Sequence, residues 1–182
     1  MGDLTQTRMT AQEFMALPET TQPTELLDGE LIVSPTPKNP HQDSVLEIAL
    51  FLRQNVTTGK TVIAPMDVHF DDKNIAQPDV FWVSGENSLC KLGQDGYWYG
   101  APDLVVEALS PSTEFKDRGT KFKLYEKYGG REYWLVSPEA KYVEVYRLVD
   151  GQFARVGIYG LNESFVSEVL SGMTIKIAAL LE

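Results

Sequence analysis

The spacing of apolar residues along the chain predicts three helices. Between residues 41 and 56 apolar side chains recur three and four positions apart, which is typical of an amphipathic helix. A second helix is predicted over residues 113 to 128. A short helix is predicted over residues 11 to 17, because Thr10 and Glu13 have the spacing of a capping box.

Runs rich in valine, isoleucine and aromatic residues predict strands between and after these helices. The candidates are TVIAPMDVHF (61–70), AQPDVFWV (76–83), DLVVEALS (103–110) and EYWLVS (132–137). Two hairpins are predicted where Asp28-Gly29 and Asp150-Gly151 separate short apolar runs, since this dipeptide tolerates positive φ in tight turns. The order of elements predicts an α/β (α+β) fold, with a central mixed sheet flanked by helices and with additional N- and C-terminal β-hairpins.

Length and composition favour one domain spanning residues 1–182. The chain is 43% hydrophobic, which suffices for one well-formed core at this length. Cys90 is the only cysteine, so an internal disulfide is excluded, and two histidines add too few ligands for a zinc site. The opening segment is polar and no apolar run reaches the length of a membrane helix. We therefore expect a cytoplasmic protein.

The charge of the chain limits any interaction with nucleic acid. Sixteen basic residues stand against 26 acidic ones, giving a formal net charge of -10 that repels a phosphate backbone. A nuclease would therefore depend on local positive charge and on bound metal. The densest basic stretch covers residues 116–131, and a solvated helix face is the alternative interpretation of that stretch.

Two carboxylates occupy positions in strands where apolar residues are expected. Side-chain alternation puts Glu107 on the same face as Val105 and Leu109, in a layer that should be buried. Asp79 begins the preceding apolar strand. A buried carboxylate must be protonated, paired with a cation or bound to metal. Two neighbouring carboxylates of this kind suit Mg²⁺ or Mn²⁺.

Lys121 is predicted on the buried side of its helix. It shares a helical stripe with Asp117, Leu124, Tyr125 and Tyr128, and a lysine facing a core is unusual. The side chain could instead extend to solvent, or form an ordinary salt bridge with Asp117 or Glu107. Spacing alone leaves these alternatives open.

Several motifs together resemble the Uma-type putative restriction endonuclease family, long called a domain of unknown function. They are ELLDGELIVSPTP, HQ, QPDV, APDLVVEALSPST and DRGTKFKLYEKYGGREYWLV, in that order. The resemblance runs from about residue 10 to residue 182. It implies the PD-(D/E)XK nuclease superfamily, whose fold has a central four-stranded mixed sheet with helices on both sides.

The resemblance also implies a site. Asp79 matches the metal-binding aspartate, Glu107 matches the acidic member of the (D/E)XK element, and the backbone carbonyl of Ala108 completes the metal ligands. The lysine expected two positions after Glu107 is replaced by Leu109. Lys121 matches the position to which this family has moved that lysine.

Further candidates surround these residues. The auxiliary positions are Glu25, Glu30, His41 and Asp117. For the first three, a surface charge on a hairpin or a polar residue at a helix start is the alternative. For Glu25, Glu30 and His41, the match to a family position is the only reason to expect them near the site.

The implied activity is metal-dependent endonuclease cleavage of phosphodiester bonds, with DNA as the expected substrate and Mg²⁺ or Mn²⁺ as cofactor. Asp79, Glu107 and Lys121 would be catalytic, the lysine by orienting the attacking water or stabilising transition-state charge. The alternative is a catalytically inactive module with the nuclease fold that binds nucleic acid or a protein partner. A hydrolase with a Ser/His site is disfavoured, because no nucleophile-elbow pattern precedes a helix.

Partner surfaces are less clearly marked in the sequence. Trp82 and the YWYG segment at 97–100 could stack on bases, although aromatic residues in strands and loops are typical core residues. A homodimer is possible, with the apolar segment 165–181 as its contact surface. No membrane partner is expected.

Overall fold

The computed structural model describes residues 8–182; residues 1–7, part of the polar opening segment, lie outside the described residues. The strands are β1 (Thr24–Leu27), β2 (Glu30–Val33), β3 (Lys60–Ile63), β4 (Val68–Asp71), β5 (Asn74–Ala76), β6 (Val80–Val83), β7 (Lys91–Leu92), β8 (Trp98–Tyr99), β9 (Leu104–Ala108), β10 (Glu132–Ser137), β11 (Tyr142–Val149), β12 (Gln152–Gly160), β13 (Ser164–Ser167) and β14 (Met173–Lys176). The helices are α1 (Ala11–Met15), α2 (Asn39–Asn55), α3 (Glu114–Asp117), α4 (Thr120–Lys127) and α5 (Ala178–Leu181). Within residues 8–182 no helix is long and apolar enough to cross a membrane.

The central sheet has the strand order β12-β11-β10-β9-β6-β3. Strands β9 and β10 are parallel and are joined through α3 and α4, whereas their other neighbours in the sheet are antiparallel. A mixed sheet was the expectation, and it has six strands rather than four. The parallel pair requires a helical crossover, and that crossover carries Lys121.

Helices cover both faces of the central sheet. Leu104, Val106 and Ala108 belong to one hydrophobic core, which also contains the apolar side of α2. Val105 and Leu109 belong to a second core, which contains the buried side of α4. The alternation predicted for β9 is therefore correct, and Glu107 lies on the α4 side of the sheet.

A second six-stranded sheet, of order β2-β1-β5-β4-β8-β7, was not predicted. Segment 61–70 was expected to be one strand, but it divides into β3 and β4, which lie in different sheets. Segment 76–83 likewise divides between β5 and β6. Pro65 and Pro78 lie at the two breaks, and a proline cannot donate a ladder hydrogen bond. Strands β7 and β8 have two residues each, too few to show a period.

The helix predicted over residues 113 to 128 is two helices, α3 and α4, separated at Gly119. A Cβ atom at Gly119 would lie only 2.8 Å from the carbonyl oxygen of Phe115. Only glycine fits this junction without a backbone shift. The helical stripe drawn from Asp117 to Lys121 therefore crosses a break that the periodicity did not indicate.

The predicted caps and turns are confirmed. Thr10 and Glu13 form the capping box of α1, although the helix ends at Met15. Both Asp-Gly turns have positive φ at their two central residues, as a two-residue hairpin requires.

The C-terminal segment packs inside the chain. Strands β13 and β14 form a two-stranded sheet, and α5 follows them. Its buried apolar residues belong to the core on the α2 side of the central sheet; they are Phe165, Val169, Leu170, Ile175, Ile177, Leu180 and Leu181. The segment thus gives no support to a dimer surface at these side chains.

Candidate active site

Asp79 and Glu107 meet across neighbouring strands. Val80 on β6 lies opposite Val106 on the antiparallel β9, so the next pair in the same register is Asp79 and Glu107. Opposite residues of an antiparallel pair project from the same face. The backbone N–H of Ala108 also donates to Asp79 Oδ2 at 2.8 Å, which ties the aspartate to the end of β9.

Lys121 lies among carboxylates and is only 3% exposed. Its Nζ is 2.7 Å from Glu107 Oε1 and 3.0 Å from Glu25 Oε1. The Asp117 Oδ1 atom is farther away, at 3.9 Å. The alternative in which Lys121 reaches solvent is therefore wrong, while a salt bridge with Glu107 is present.

Glu25 reaches this cluster from the second sheet. It is buried in β1, and its Oε1 also accepts the backbone N–H of Gln77 at 2.8 Å. The interpretation of Glu25 as a surface hairpin charge is wrong. Glu30 lies at the other end of the same hairpin, opposite Leu27, and joins none of the ion pairs found within residues 8–182.

His41, in the first turn of α2, contacts Asp79. Its Nε2 is 3.1 Å from Asp79 Oδ2, whereas its buried Nδ1 has no hydrogen-bond partner among residues 8–182. Burial alone lowers the pKa of His41, but the hydrogen bond to Asp79 and the charge of that carboxylate outweigh burial, so the net pKa is raised. A positive charge on His41 therefore favours the ionised aspartate.

Three contacts at the site were not predicted from the sequence. The Tyr125 hydroxyl donates to Glu107 Oε1 at 2.7 Å, and the Tyr133 hydroxyl donates to the Asp117 carbonyl oxygen at 2.9 Å. The Gln77 carbonyl oxygen is 3.5 Å from the Lys121 Nζ. Tyr125 shares the helical stripe of Lys121, and this spacing was the only available signal for any of the three.

We call these six residues the lysine cluster: Glu25, His41, Asp79, Glu107, Asp117 and Lys121. Burial raises the pKa of Glu107 well above its ordinary value, and the neighbouring carboxylates add to this effect while Lys121 opposes it. Burial also raises the pKa of Asp117, to about 6. Burial alone lowers the pKa of Lys121, but the charges of Glu107 and the other carboxylates outweigh burial. The net pKa is raised well above its ordinary value, so the ammonium stays charged.

The lysine cluster contains more negative than positive groups. Its four carboxylates face one lysine and one histidine. Buried like charges repel unless protons or a cation neutralise them. A divalent cation beside Asp79 and Glu107 would reduce this repulsion.

The donors near Asp79 and Glu107 are oxygens, the ligand type that hard cations prefer. Among residues 8–182 no group of three His, Cys, Asp or Glu side chains is arranged to hold a metal ion. The Ala108 carbonyl supplies a further oxygen: its own N–H points to Asp79, while the N–H of Leu109 points the other way, to Val136. Because the N–H and C=O of one strand residue point to the same side, this carbonyl faces Asp79.

Each candidate ligand is held through one carboxylate oxygen. Both contacts of Asp79 use Oδ2, and both contacts of Glu107 with Lys121 and Tyr125 use Oε1. Among the contacts of residues 8–182, the second oxygen of each carboxylate is not used. Two carboxylates and one carbonyl are sufficient protein ligands for Mg²⁺, which usually keeps several waters and also binds substrate phosphate.

Comparison with known proteins identifies the family of the chain. The family model Uma2, described as "Putative restriction endonuclease", matches residues 11–178. The chain belongs to the Uma2 family. The resemblance inferred from the motifs is therefore confirmed.

A solved structure has the same fold as this Uma2 family member. It is described as a putative nuclease belonging to DUF820 from Anabaena variabilis ATCC 29413. The TM-score is 0.78 and the sequence identity 23%, over 95% of this chain and 97% of that chain. No curated protein matches the chain. The predicted fold class, a mixed sheet with flanking helices, is confirmed.

Proposed function

We propose that this Uma2 family member is a metal-dependent endonuclease that hydrolyses phosphodiester bonds, with DNA as its substrate. The observation that carries the proposal is the meeting of Asp79, Glu107 and Lys121 at the ends of β6 and β9, with the ammonium 2.7 Å from Glu107. Membership of a family described as "Putative restriction endonuclease" supports the same reaction class.

Asp79, Glu107 and the Ala108 carbonyl would hold the cation. When bound there, Mg²⁺ or Mn²⁺ supplies Lewis-acid polarisation of the scissile phosphate and a water of lowered pKa. The chain fixes both carboxylates in advance: Ala108 and His41 hold Asp79, while Lys121 and Tyr125 hold Glu107. This leaves one oxygen of each carboxylate oriented without a loop movement.

Lys121 would contact the reacting groups directly. Two of its three N–H donors are used by Glu107 and Glu25. The third faces the Gln77 carbonyl at 3.5 Å, a distance at which a hydrogen bond is weak. A phosphate oxygen or the attacking water can replace that contact, and the ammonium then stabilises the charge that develops on the phosphate.

The burial of the cluster favours a second candidate function, a binding module without catalysis. Glu107 and Lys121 are nearly inaccessible and already satisfy each other, which is also the arrangement of a structural ion pair. In that case the fold would bind nucleic acid or a protein partner without cleaving it. Metal binding separates the two functions.

Calorimetric titration with Mg²⁺ and Mn²⁺ tests the proposal first. We expect the parent chain to bind and Asp79→Asn and Glu107→Gln to lose binding, because each variant removes a charged ligand. Glu30→Gln is the control, since it removes a carboxylate that lies outside the lysine cluster. Equal binding by all four chains, or by none, would contradict a metal site at Asp79 and Glu107.

Cleavage is then measured with Mn²⁺ on linear, supercoiled and single-stranded DNA. We expect Lys121→Met to lower the rate about 10²–10³-fold, the usual loss when one charge-stabilising donor is removed from an active site. Asp79→Asn should abolish cleavage, while Lys176→Ala should retain the parental rate. Cleavage that is the same in every variant would indicate a contaminating nuclease and defeat the proposal.

A further inference from the structure

Phe115 is the most exposed large hydrophobic residue among residues 8–182. It is 88% exposed, and the next most exposed, Leu89, is 57% exposed. A single apolar residue on a surface needs no special explanation. The surroundings of Phe115 are what distinguish it.

Phe115 borders a surface cleft between the α3–α4 crossover and the loops at the tips of two hairpins. The crossover contributes Phe115, Gly119, Thr120, Lys123, Leu124 and Lys127, and the hairpins contribute Asp28 and Asn74. The cleft therefore combines an open aromatic face with two ammonium groups, a hydroxyl and the Asp28 carboxylate, while the buried Asn74 amide is already hydrogen-bonded to Asp28 and Asp71. Unpaired nucleic acid is bound by this combination, in which aromatic rings stack on bases and lysines contact phosphates.

The basic stretch 116–131 is largely neutralised elsewhere. Arg118 pairs with Glu114 and Glu144, and Arg131 pairs with Asp103 at 3.1 Å. Lys121 is buried in the lysine cluster. Lys121 is therefore not available to a phosphate backbone, and the two arginines already have carboxylate partners.

Of the three remaining lysines, Lys116 donates to the Ser34 hydroxyl, while Lys123 and Lys127 line the cleft. Lys123 is exposed and forms no ion pair with any of residues 8–182. Lys127 is 66% exposed; its Nζ is 3.7 Å from Asp71 and 4.8 Å from the centre of the Tyr128 ring. A pair of this kind at a surface is weak and exchanges readily. In a chain of net charge -10, two accessible lysines beside an open aromatic ring mark a local site for anionic ligands.

The stacking candidates named from the sequence are less suitable than Phe115. Trp82 and Trp98 are buried in hydrophobic cores, and only Tyr99 of the YWYG segment is substantially exposed. Tyr99 stacks on His69 and donates to Asp95, so its ring is already engaged.

We propose that the Phe115 cleft binds an unpaired strand of nucleic acid, with Phe115 stacked on a base and Lys123 and Lys127 on adjacent phosphates. The inference deepens the proposed nuclease function and rests on it. One helix, α4, carries both Lys121 on its buried side and Lys123 on its exposed side. A strand in the cleft would run along the helix that supplies the catalytic lysine. The substrate is then a frayed or single-stranded segment rather than an intact duplex.

Binding is measured with the full chain in EDTA, by fluorescence anisotropy of a labelled single strand of about 15 nucleotides. We expect Phe115→Ala to weaken binding about tenfold and Phe115→Tyr to retain it, because stacking on one base has that typical worth. Lys123→Ala should reduce the slope of log affinity against log salt by about 0.7, the value for one phosphate contact on a single strand. Leu46→Ala and Lys176→Ala are the controls, since they remove an exposed apolar residue and an exposed lysine far from the cleft along the chain.

Phe115→Trp supplies a direct reporter of stacking. The three native tryptophans, Trp82, Trp98 and Trp134, are buried. Emission from a tryptophan at position 115 should therefore dominate the response and be quenched when the strand binds. Unchanged emission on saturation would exclude stacking at this position.

Two outcomes would overturn the inference, and each differs from a failure of the nuclease proposal. If Phe115→Ala and Lys123→Ala bind the strand as the parent does, the cleft is not its site. If Phe115→Ala instead abolishes self-association in analytical ultracentrifugation without changing strand affinity, a second copy of the chain occupies the cleft. Because the assay contains EDTA, strand binding that depends on Phe115 supports the cleft even where Mn²⁺ yields no cleavage and the nuclease proposal fails.

Discussion

Two clusters of cations and carboxylates include residues of the α3–α4 crossover, and they differ in charge balance. We call the second the arginine cluster; in it two ion pairs join Glu114, Arg118 and Glu144, and the charge of the exposed Arg155 also acts on Glu144. Two arginines there oppose two glutamates. In the lysine cluster four carboxylates surround one lysine and one histidine.

This difference reverses the effect on the carboxyl groups. Burial raises the pKa of Glu144, but the hydrogen bonds from Arg118 and Tyr146 and the arginine charges outweigh it, so the net pKa is lowered. In the lysine cluster the pKa values of Glu107 and Asp117 are raised instead. A balanced pair stabilises the fold, whereas surplus buried carboxylates create a demand for protons or a metal cation. Charge balance thus separates a structural salt bridge from a candidate site.

The largest expected effect on stability is that of Lys121→Met. Removing the cation leaves buried carboxylates uncompensated, so we expect a loss of about 3–5 kcal/mol in the free energy of unfolding at pH 7. Arg118→Met should cost about 1 kcal/mol or less, because the arginine is partly exposed. Urea unfolding followed by circular dichroism measures both values. Equal losses in the two variants would remove the distinction between the clusters.

Asp117→Asn should show an effect of intermediate size that depends on pH. The folded-state pKa of Asp117 is about 6, above the ordinary 3.8, so the folded chain retains a proton that the unfolded chain has lost between these values. The parent therefore loses stability as pH rises through this window, by up to about 3 kcal/mol. The asparagine variant lacks this loss. Its stability relative to the parent should rise from pH 4 to pH 7 in urea titrations, and a flat difference would contradict a raised pKa.

Glu144→Gln provides the opposite pH dependence and the smallest effect. The folded-state pKa of Glu144 is lowered, so its contribution is present above the ordinary pKa and is lost as pH falls through the folded value. We expect the variant to be less stable than the parent by about 1 kcal/mol at pH 7 and equal to it in strong acid. The same titration series measures it. A deficit that grows toward acid would mean that Glu144 is not held by Arg118.

The parts of the site that follow local periodicity could be predicted from the sequence. Alternation along β9 predicted that Glu107 shares a buried face with Val105 and Leu109, which is the face that α4 covers, and helical spacing predicted that Lys121 faces the sheet. Both inferences use a regular repeat over a few residues. Spacing across Gly119 was less reliable, because it is measured through a helix break, and Asp117 is accordingly the most distant of the three carboxylates paired with Lys121.

The parts that depend on the second sheet could not be predicted. Glu25 reaches Lys121 because β1 pairs with β5, and their register contains a single pair, Leu26 with Ile75. Strands this short have no period, and the breaks at Pro65 and Pro78 separate residues that a continuous strand would have kept together. The hydroxyl of Tyr125 was missed for another reason, since an aromatic residue on a buried helix face is normally explained by packing alone.

The crossover from β9 to β10 supplies Glu107, Asp117, Lys121, Tyr125 and Tyr133 from fewer than thirty consecutive residues. Closing one short chain segment therefore brings half of the lysine cluster together, and Glu25, His41 and Asp79 join it from elsewhere in the sequence. Exchange of this stretch between related chains would transfer the lysine and its acidic partner as a single inherited unit.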